Sequence, residues 1–235
     1  MLSFVVPAHN EECELPATLR SIRAAADASG HDYEIIMVDD ASTDATAEIA
    51  REFGARVVPV QLRQIAAVRN AGARVAQGDV LFFVDADTHI APGHVSAALT
   101  CLTSGCAGGS ARIAVDREMP RWARIFIAVF CAFYFAAGLG VGAFIFTRRD
   151  LFEAVGGFDE QYFAGEEVYL TLALKKHGRF KILREPIVTS ARKIRMHSPR
   201  FVLAQSFFII FGGRRALRKR EKLELWYDGK RERAA

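Results

Sequence analysis

The feature that most constrains the fold is an alternation of short apolar runs with helix-like segments through the first 106 residues. Each apolar run is a predicted strand, and each is followed by a segment with helical spacing of its apolar residues. The predicted strands are 2–7, 34–40, 56–60 and 80–85. Strands that are apolar on both faces and alternate with helices are typical of a parallel sheet covered on both sides. We therefore predict an α/β fold, a single domain with a mostly parallel central sheet flanked by helices.

Polar clusters follow three of these strands at the point where each one ends. The clusters are His9-Asn10-Glu11-Glu12, Asp39-Asp40 and Asp85-Ala86-Asp87. Because the carboxyl ends of parallel strands lie along one edge of a sheet, one crevice can collect all three. Asp85 and Asp87 project to the same side, and their oxygens suit Mg²⁺ or Mn²⁺ bound to a diphosphate. Taken alone, this pair could equally open an ordinary polar turn.

A second acidic pair, Glu166-Glu167, opens a predicted helix in the looser second half of the chain. The dipole at a helix N-terminus favours ionised carboxylates, so helix-end electrostatics is one explanation of the pair and a functional role is the other.

An uncharged run over 125–147 raises the question of a membrane span, since roughly 20 apolar residues can cross a bilayer. Three glycines between positions 138 and 142 divide it into a helix-like piece, 120–137, and a strand-like piece, 143–147. Both pieces are short for a span. We favour a buried or surface-lying helix, with a membrane span as the alternative.

Charge divides the chain unevenly. Residues 192–235 hold thirteen Lys and Arg against four Asp and Glu, whereas 1–191 hold eighteen against twenty-three. The basic part suits anionic lipid headgroups or phosphorylated ligands, or is simply a solvated end. No nucleic-acid motif is present, so we expect no nucleic-acid partner. We predict a domain at 1–191, divided into a nucleotide-binding half (1–106) and an acceptor half (107–191), then a basic helical extension at 192–235.

The four cysteines lack metal-ligand spacing, and no signal peptide precedes the first strand. We therefore expect reduced thiols and a cytoplasmic protein. Dinucleotide binding is disfavoured, because that fold needs Gly-x-Gly-x-x-Gly after its first strand and this chain has PAHNEE there. A P-loop is also absent from the sequence, so a cation on Asp85 and Asp87 would be another way to neutralise a diphosphate.

Four segments, in order along roughly residues 2–184, resemble motifs of the family 2 glycosyltransferases of the GT-A fold. They are VVPAHNEE, EIIMVDDASTDAT, VRNAGARVAQGDVLFFVDADT and GGFDEQYFAGEEVYLTLALKKHG. The resemblance implies an inverting enzyme that moves one sugar from a nucleoside-diphosphate sugar, UDP favoured over GDP, to an acceptor hydroxyl. It also implies a divalent cation, Mn²⁺ or Mg²⁺, as cofactor.

The resemblance further assigns roles to residues. Donor-nucleotide binding falls to Pro7, Ala8, Glu11, Asp39, Arg69, Asp85 and Ala86. In that set Asp39 accepts a hydrogen bond from the base, and Arg69 lies near the diphosphate. Asp87 is the principal metal ligand, with Asp85 beside it. His197 is a further candidate ligand, although a lone histidine among basic residues is more often a surface side chain.

The general base implied by the resemblance is Glu167, with Glu166 as the reserve. The family usually has Asp at this position, and Glu is one methylene longer, which matters for in-line attack. This departure leaves a non-catalytic nucleotide-sugar binder open as an alternative. A nucleotidyltransferase ranks lower, because a glycine-rich basic loop is missing after strand one.

The acceptor is not fixed by the sequence. Processive synthases of the family carry a Gln-x-x-Arg-Trp element and several membrane helices, and neither is evident here, so we expect a single addition. The resemblance also includes polyprenyl-phosphate sugar transferases, which would suit the apolar segments and the basic extension. The partners expected are therefore a nucleotide sugar and a sugar, lipid-linked or small-molecule acceptor, with the protein either free in the cytoplasm or peripheral on the inner face of the membrane.

Overall fold

The computed structural model describes residues 1–115, 120–211, 213 and 217–223. The strands are β1 (Leu2–Ala8), β2 (Tyr33–Asp40), β3 (Arg56–Val60), β4 (Val80–Val84), β5 (Thr88–His89), β6 (Cys106–Val115), β7 (Phe144–Arg148) and β8 (Arg179–Thr189). Over these residues they form one sheet in the order β3-β2-β1-β4-β7-β6-β8-β5.

Helices cover this sheet. They are α1 (Leu15–Asp27), α2 (Thr46–Glu52), α3 (Ile65–Val75), α4 (Pro92–Thr103), α5 (Arg121–Ala136), α6 (Arg149–Ala154), α7 (Glu166–Leu174), α8 (Arg192–Met196) and α9 (Pro199–Phe211), with a short 3-10 helix at Arg220–Lys222.

The strands are apolar throughout because both faces of the sheet are buried. Phe4 and Phe82 pack into one hydrophobic cluster, together with α1 and α4. Their chain neighbours Val5 and Phe83 pack into a second cluster on the opposite face, together with α3 and α7. Because side chains alternate along each strand, every strand contributes residues to the hydrophobic core on each face of the sheet.

The parallel prediction holds for the first half of the chain. β1 pairs in parallel with β2 and β4, and β2 pairs in parallel with β3. In the second half β7 lies antiparallel to both β4 and β6, while β6 and β8 are parallel. The sheet is therefore mixed, with its wholly parallel part in the half expected to bind a nucleotide.

Close packing in the parallel half depends on one glycine. Gly72 lies in α3, and a Cβ at this position would meet the side chains of Val5 and Val38. The absence of a side chain lets α3 approach β1 and β2 closely, which brings the helix that carries Arg69 down onto the sheet.

Several local expectations differ from the structure. The segments FKILRE (180–185) and IVTSA (187–191), each of which is predicted to be a short strand, lie largely in one strand, β8, with a register irregularity against β6 between Ala111 and Arg112. The short helix α6 was not predicted, whereas α8 and α9 lie in the extension predicted to be helical. Cys101 and Cys106 form a disulfide across the turn between α4 and β6, with Cα atoms 5.5 Å apart, so the expectation of reduced thiols is wrong for this pair.

The uncharged run over 125–147 divides as its glycines indicate, into α5 and β7. β7 enters the middle of the sheet, and its Phe144, Ile145 and Phe146 are fully buried. Among the residues that the structure describes, no helix combines the length and the apolar character needed to cross a bilayer. Much of the predicted extension beyond 211 lies outside the described residues.

Candidate active site

The three polar clusters meet at the carboxyl ends of β2, β1 and β4. Ala8, the last residue of β1, is in register with Asp39 in β2. Beyond the strands, the backbone N–H of Asn10 donates to Ser42 at 3.0 Å, and that of Glu11 donates to Thr46 Oγ1 at 2.7 Å. These bonds hold the first two clusters side by side, as the strand order requires.

The nucleoside side of this edge contains Pro7, Ala8 and Asp39. Pro7 and Ala8 are buried at the end of β1, and Asp39 is half-buried. One oxygen of Asp39 accepts a hydrogen bond from the backbone N–H of Ser42 at 3.0 Å. A carboxylate has acceptor capacity beyond one bond, so Asp39 could also accept from a base.

The third cluster forms a tight turn at the end of β4. The N–H of Thr88 donates to the carbonyl of Asp85 at 3.0 Å, and the Thr18 hydroxyl donates to the carbonyl of Ala86 at 2.8 Å. Ala86 is buried, while Asp85 and Asp87 retain partial exposure. The turn thus fixes both carboxylates at the mouth of the crevice.

Arg69, from α3, joins Asp85 to Glu166. Its guanidinium donates to Asp85 at 2.7 Å, to Glu166 at 2.5 Å and to the carbonyl of Gly142 at 3.0 Å. The side chain is only 2% exposed. In this arrangement Arg69 positions two carboxylates, and its contact with a diphosphate stays a prediction.

A second arginine, Arg192 from α8, joins the first and third clusters. It donates to both oxygens of Glu11, at 2.5 Å each, and lies 3.2 Å from an Asp87 oxygen. Arg192 was not among the predicted site residues, because it belongs by sequence to the basic extension. The sequence offered only indirect grounds to expect it: a carboxylate that is buried needs a cationic partner, without any indication of which residue supplies it.

Arg69 and Arg192 together pair with four carboxylates, so the crevice keeps an excess of negative charge. Burial raises the pKa of Asp87 to about 7; Arg192 opposes the rise, while Glu11 and Asp85 add to it. A carboxyl group in this environment is stabilised in its charged form by any added cation.

The acidic pair at the start of α7 separates into two environments. Glu166 is buried and pairs with Arg69. Glu167 is half-buried, and burial, followed by the charge of Glu166, raises its pKa to about 8. The Tyr134 hydroxyl of α5 donates to the carbonyl of Gly140 at 2.8 Å and lies 3.4 Å from a Glu167 oxygen. Tyr134 was a second residue that the sequence did not reveal.

The residues fit a divalent cation only in part. No three His, Cys, Asp or Glu side chains within the described ranges form a group that could hold a metal ion. His197 stacks on Phe201 at 4.9 Å and does not complete such a group with Asp85 and Asp87. Mg²⁺ is commonly held by one or two carboxylates plus substrate phosphates, and the acidic pair suits that arrangement.

The sheet and its acidic edge are those of an α/β domain of the GT-A type. Among solved structures, the chain is similar to S. aureus TarS residues 1–349 in complex with UDP-GlcNAc, with a TM-score of 0.63 at 19% identity, over 81% of this chain and 58% of that one. The same protein in complex with UDP gives a TM-score of 0.62 at 20% identity, over 89% and 64%. These likenesses confirm the predicted fold.

The family follows from the sequence comparison. The model of glycosyl transferase family 2 matches residues 3–156, and the chain belongs to this family. Among curated proteins it is similar to the undecaprenyl-phosphate 4-deoxy-4-formamido-L-arabinose transferases of Aeromonas hydrophila, 38% identical over 100 residues, and Edwardsiella ictaluri, 40% identical over 99. Each match covers 39% of this chain and 30% of the relative, so the chain matches under a third of the length of either relative.

Proposed function

We propose that this protein transfers a single sugar, with inversion, from a nucleoside-diphosphate sugar, UDP favoured, with the help of Mn²⁺ or Mg²⁺. The observation that carries the proposal is the pair of arginine-linked carboxylate groups at one sheet edge. Arg192 links Glu11 to Asp87, and Arg69 links Asp85 to Glu166. The family, the fold and this edge support the same chemistry.

The donor would lie along the carboxyl ends of β1, β2 and β4. Asp39 would accept a hydrogen bond from the imide N–H of the base. Asp85 and Asp87 would hold the cation, which when bound offsets the charge of the leaving diphosphate. The buried Arg69 keeps Asp85 in a fixed orientation, which limits the reorganisation needed when the donor binds.

Glu167 is the proposed proton acceptor. Glu166 is tied to Arg69 by a short buried ion pair and is poorly placed to take a proton, whereas Glu167 has a pKa of about 8 that suits a base near neutral pH. Ionised Glu167 would remove the proton of an acceptor hydroxyl, and that oxygen would attack the anomeric carbon as the nucleoside diphosphate departs.

A polyprenyl phosphate is the second candidate acceptor. The names of the curated relatives support it, and so does the largely protonated state of Glu167 at pH 7, because a neutral carboxyl group does not repel an anionic acceptor. A phosphate oxygen is already ionised and needs no base. A hydroxyl acceptor therefore needs Glu167 as a base, whereas a phosphate acceptor does not.

Donor binding can be tested by thermal shift with nucleotide sugars, with and without Mn²⁺. Wild type should be stabilised by one nucleotide sugar in a cation-dependent way, since a ligand of the native state raises the melting temperature. Asp87→Ala should lose this effect. Asp79→Asn is a matched control, because Asp79 is exposed and precedes the opposite end of the same strand. Donor binding that is indifferent to Asp87 and to chelators would overturn the cation site.

Transfer can be tested with Glu167→Gln, with the exposed Glu153→Gln as control. For a hydroxyl acceptor, Glu167→Gln should bind donor normally and lose transfer by at least a hundredfold, the usual contribution of a general base. For a phosphate acceptor, transfer should survive. Absence of both transfer and donor hydrolysis in wild type would instead favour a non-catalytic binder.

A further inference from the structure

The outer face of α5 is apolar and open. Ile125, Val129 and Phe133 recur every four residues on this face, with exposed fractions of 65%, 52% and 75%. Small residues between them, Ala128 and Ala132, are exposed as well. A stripe of this kind normally lies against a core or a partner.

The surroundings of the stripe are positively charged. α5 contains no acidic residue, and its Arg124 is exposed. Beyond the buried Arg192, the chain from 193 to 220 has eight Lys and Arg and no Asp or Glu. The two regions adjoin, because Ala123 of α5 packs against Ala191, the residue before α8.

The basic segment also returns to the mouth of the crevice. The N–H of Phe163 donates to the carbonyl of Leu217 at 2.9 Å, and Leu217 and Leu223 are buried against the loop that precedes α7. Arg218 and Lys219, between them, are exposed. Near this loop α9 exposes Leu203 and Phe207, while its Phe208 packs on the loop cluster.

The other side of α5 faces the proposed base. Tyr134, one residue beyond the exposed Phe133, lies 3.4 Å from Glu167. Glu167 and the outer face of α5 are therefore on opposite sides of the same helix, about 10 Å apart.

We propose that the outer face of α5 is a membrane-docking surface that inserts into the headgroup region of an anionic bilayer, with the exposed Arg124, Arg200 and Lys219 contacting the lipid phosphates. A helix with an apolar face and flanking Lys and Arg binds a bilayer in this way. A second copy of the chain is a poorer occupant, because it would bring exposed arginines against arginines. The inference rests on the proposed function only in that docking would present a lipid-linked acceptor to Glu167.

Flotation of the full chain with vesicles measures docking without turnover. Wild type should float with phosphatidylglycerol-containing vesicles, and less with pure phosphatidylcholine vesicles or in high salt. Ile125→Gln/Phe133→Gln should lower the bound fraction at least tenfold, and both side chains are exposed enough that the fold should tolerate the change. Leu62→Gln is the matched control, because it removes an equally hydrophobic exposed side chain in the segment after β3.

Charge is tested separately with Arg200→Gln/Lys219→Gln. This variant should weaken binding to anionic vesicles by about fivefold for each charge removed and leave binding to phosphatidylcholine unchanged. Circular dichroism melts of every variant confirm folding.

The proposal is overturned if wild type does not float, if the α5 variant floats as wild type does, or if the α5 substitutions only convert a lipid-free dimer to monomer. The last result would make the face a contact between copies. Donor-induced thermal stabilisation is measured on the same samples. Wild type that floats but binds no nucleotide sugar would defeat the proposed function and leave docking intact, and the reverse result would defeat docking alone.

Discussion

Replacing Arg192 by alanine should destabilise the protein strongly. The guanidinium makes two bonds of 2.5 Å to Glu11 and one contact of 3.2 Å to Asp87. The side chains of Arg192, Glu11 and Asp87 are 10%, 6% and 17% exposed. Alanine therefore leaves two carboxylates in a poorly hydrated crevice with their cationic partner removed.

The expected loss follows from this burial. Removing one partner of a buried ion pair typically costs about 3–5 kcal/mol. For a chain of this length each 1 kcal/mol lowers the melting temperature by about 2–4 °C, so a fall of about 6–20 °C is expected. The destabilisation should be partly relieved in Arg192→Met/Glu11→Leu, because replacing a buried pair by apolar groups is often neutral, while Asp87 still lacks its cationic partner.

Urea and thermal unfolding of the single and double variants measure these quantities. Arg200→Ala, at an exposed arginine in the same basic region, is the control and should change stability by less than about 0.5 kcal/mol. The reasoning fails if Arg192→Ala costs less than about 1 kcal/mol, or if the stability losses of Arg192→Met and Glu11→Leu add up to that of the double variant, since contacting residues should couple.

Four further predictions concern Glu167, Tyr134 and the Arg69 ion pairs. With a hydroxyl acceptor, kcat/KM should rise with pH around an apparent pKa of about 8, because Glu167 works ionised; a flat profile would argue against this base. The raised pKa also means that Glu167 stabilises the fold below pH 4.5 and that this contribution is lost as pH rises through about 8. The free energy of unfolding of Glu167→Gln should therefore vary less with pH over that interval than that of wild type. Tyr134→Phe should shift the rate profile to higher pH, because it removes a hydroxyl that lies 3.4 Å from Glu167 and can turn from the Gly140 carbonyl to donate to the ionised carboxylate; an unshifted profile with only lower stability would mean a structural role. Gly142→Ala would place a Cβ 2.9 Å from the Arg69 guanidinium and should lower the turnover number more than it weakens donor binding; wild-type turnover would show that Arg69 adjusts freely.

The site was predictable where chemistry is local in sequence. Asp85 and Asp87 directly follow an apolar strand, and Glu166 and Glu167 begin an apolar helix, so the residues next to each pair already indicate where it lies. The strand order β2-β1-β4 then brings the first three clusters to one edge. Their roles with donor and cation stay predictions.

The residues that pair with these carboxylates were harder to predict from the sequence. Arg192 meets Glu11 from 181 positions away, and Tyr134 meets Glu167 across 33 positions, from a helix whose spacing suggested only packing or lipid contact. Arg69 was placed near a diphosphate by resemblance, yet its guanidinium is committed to Asp85 and Glu166. His197 was an open candidate, and its ring stacks on Phe201.

The sequence alone determined the alternating α/β architecture, the family and the acidic groups, because periodicity, strand ends and short motifs are properties of neighbouring residues. Tertiary structure alone decided which cation neutralises which carboxylate, that β7 runs antiparallel in the sheet, that Cys101 meets Cys106, and that α5 keeps an apolar face outside. Those outcomes depend on contacts between distant segments, where burial and charge act through space and leave no periodic signal along the chain.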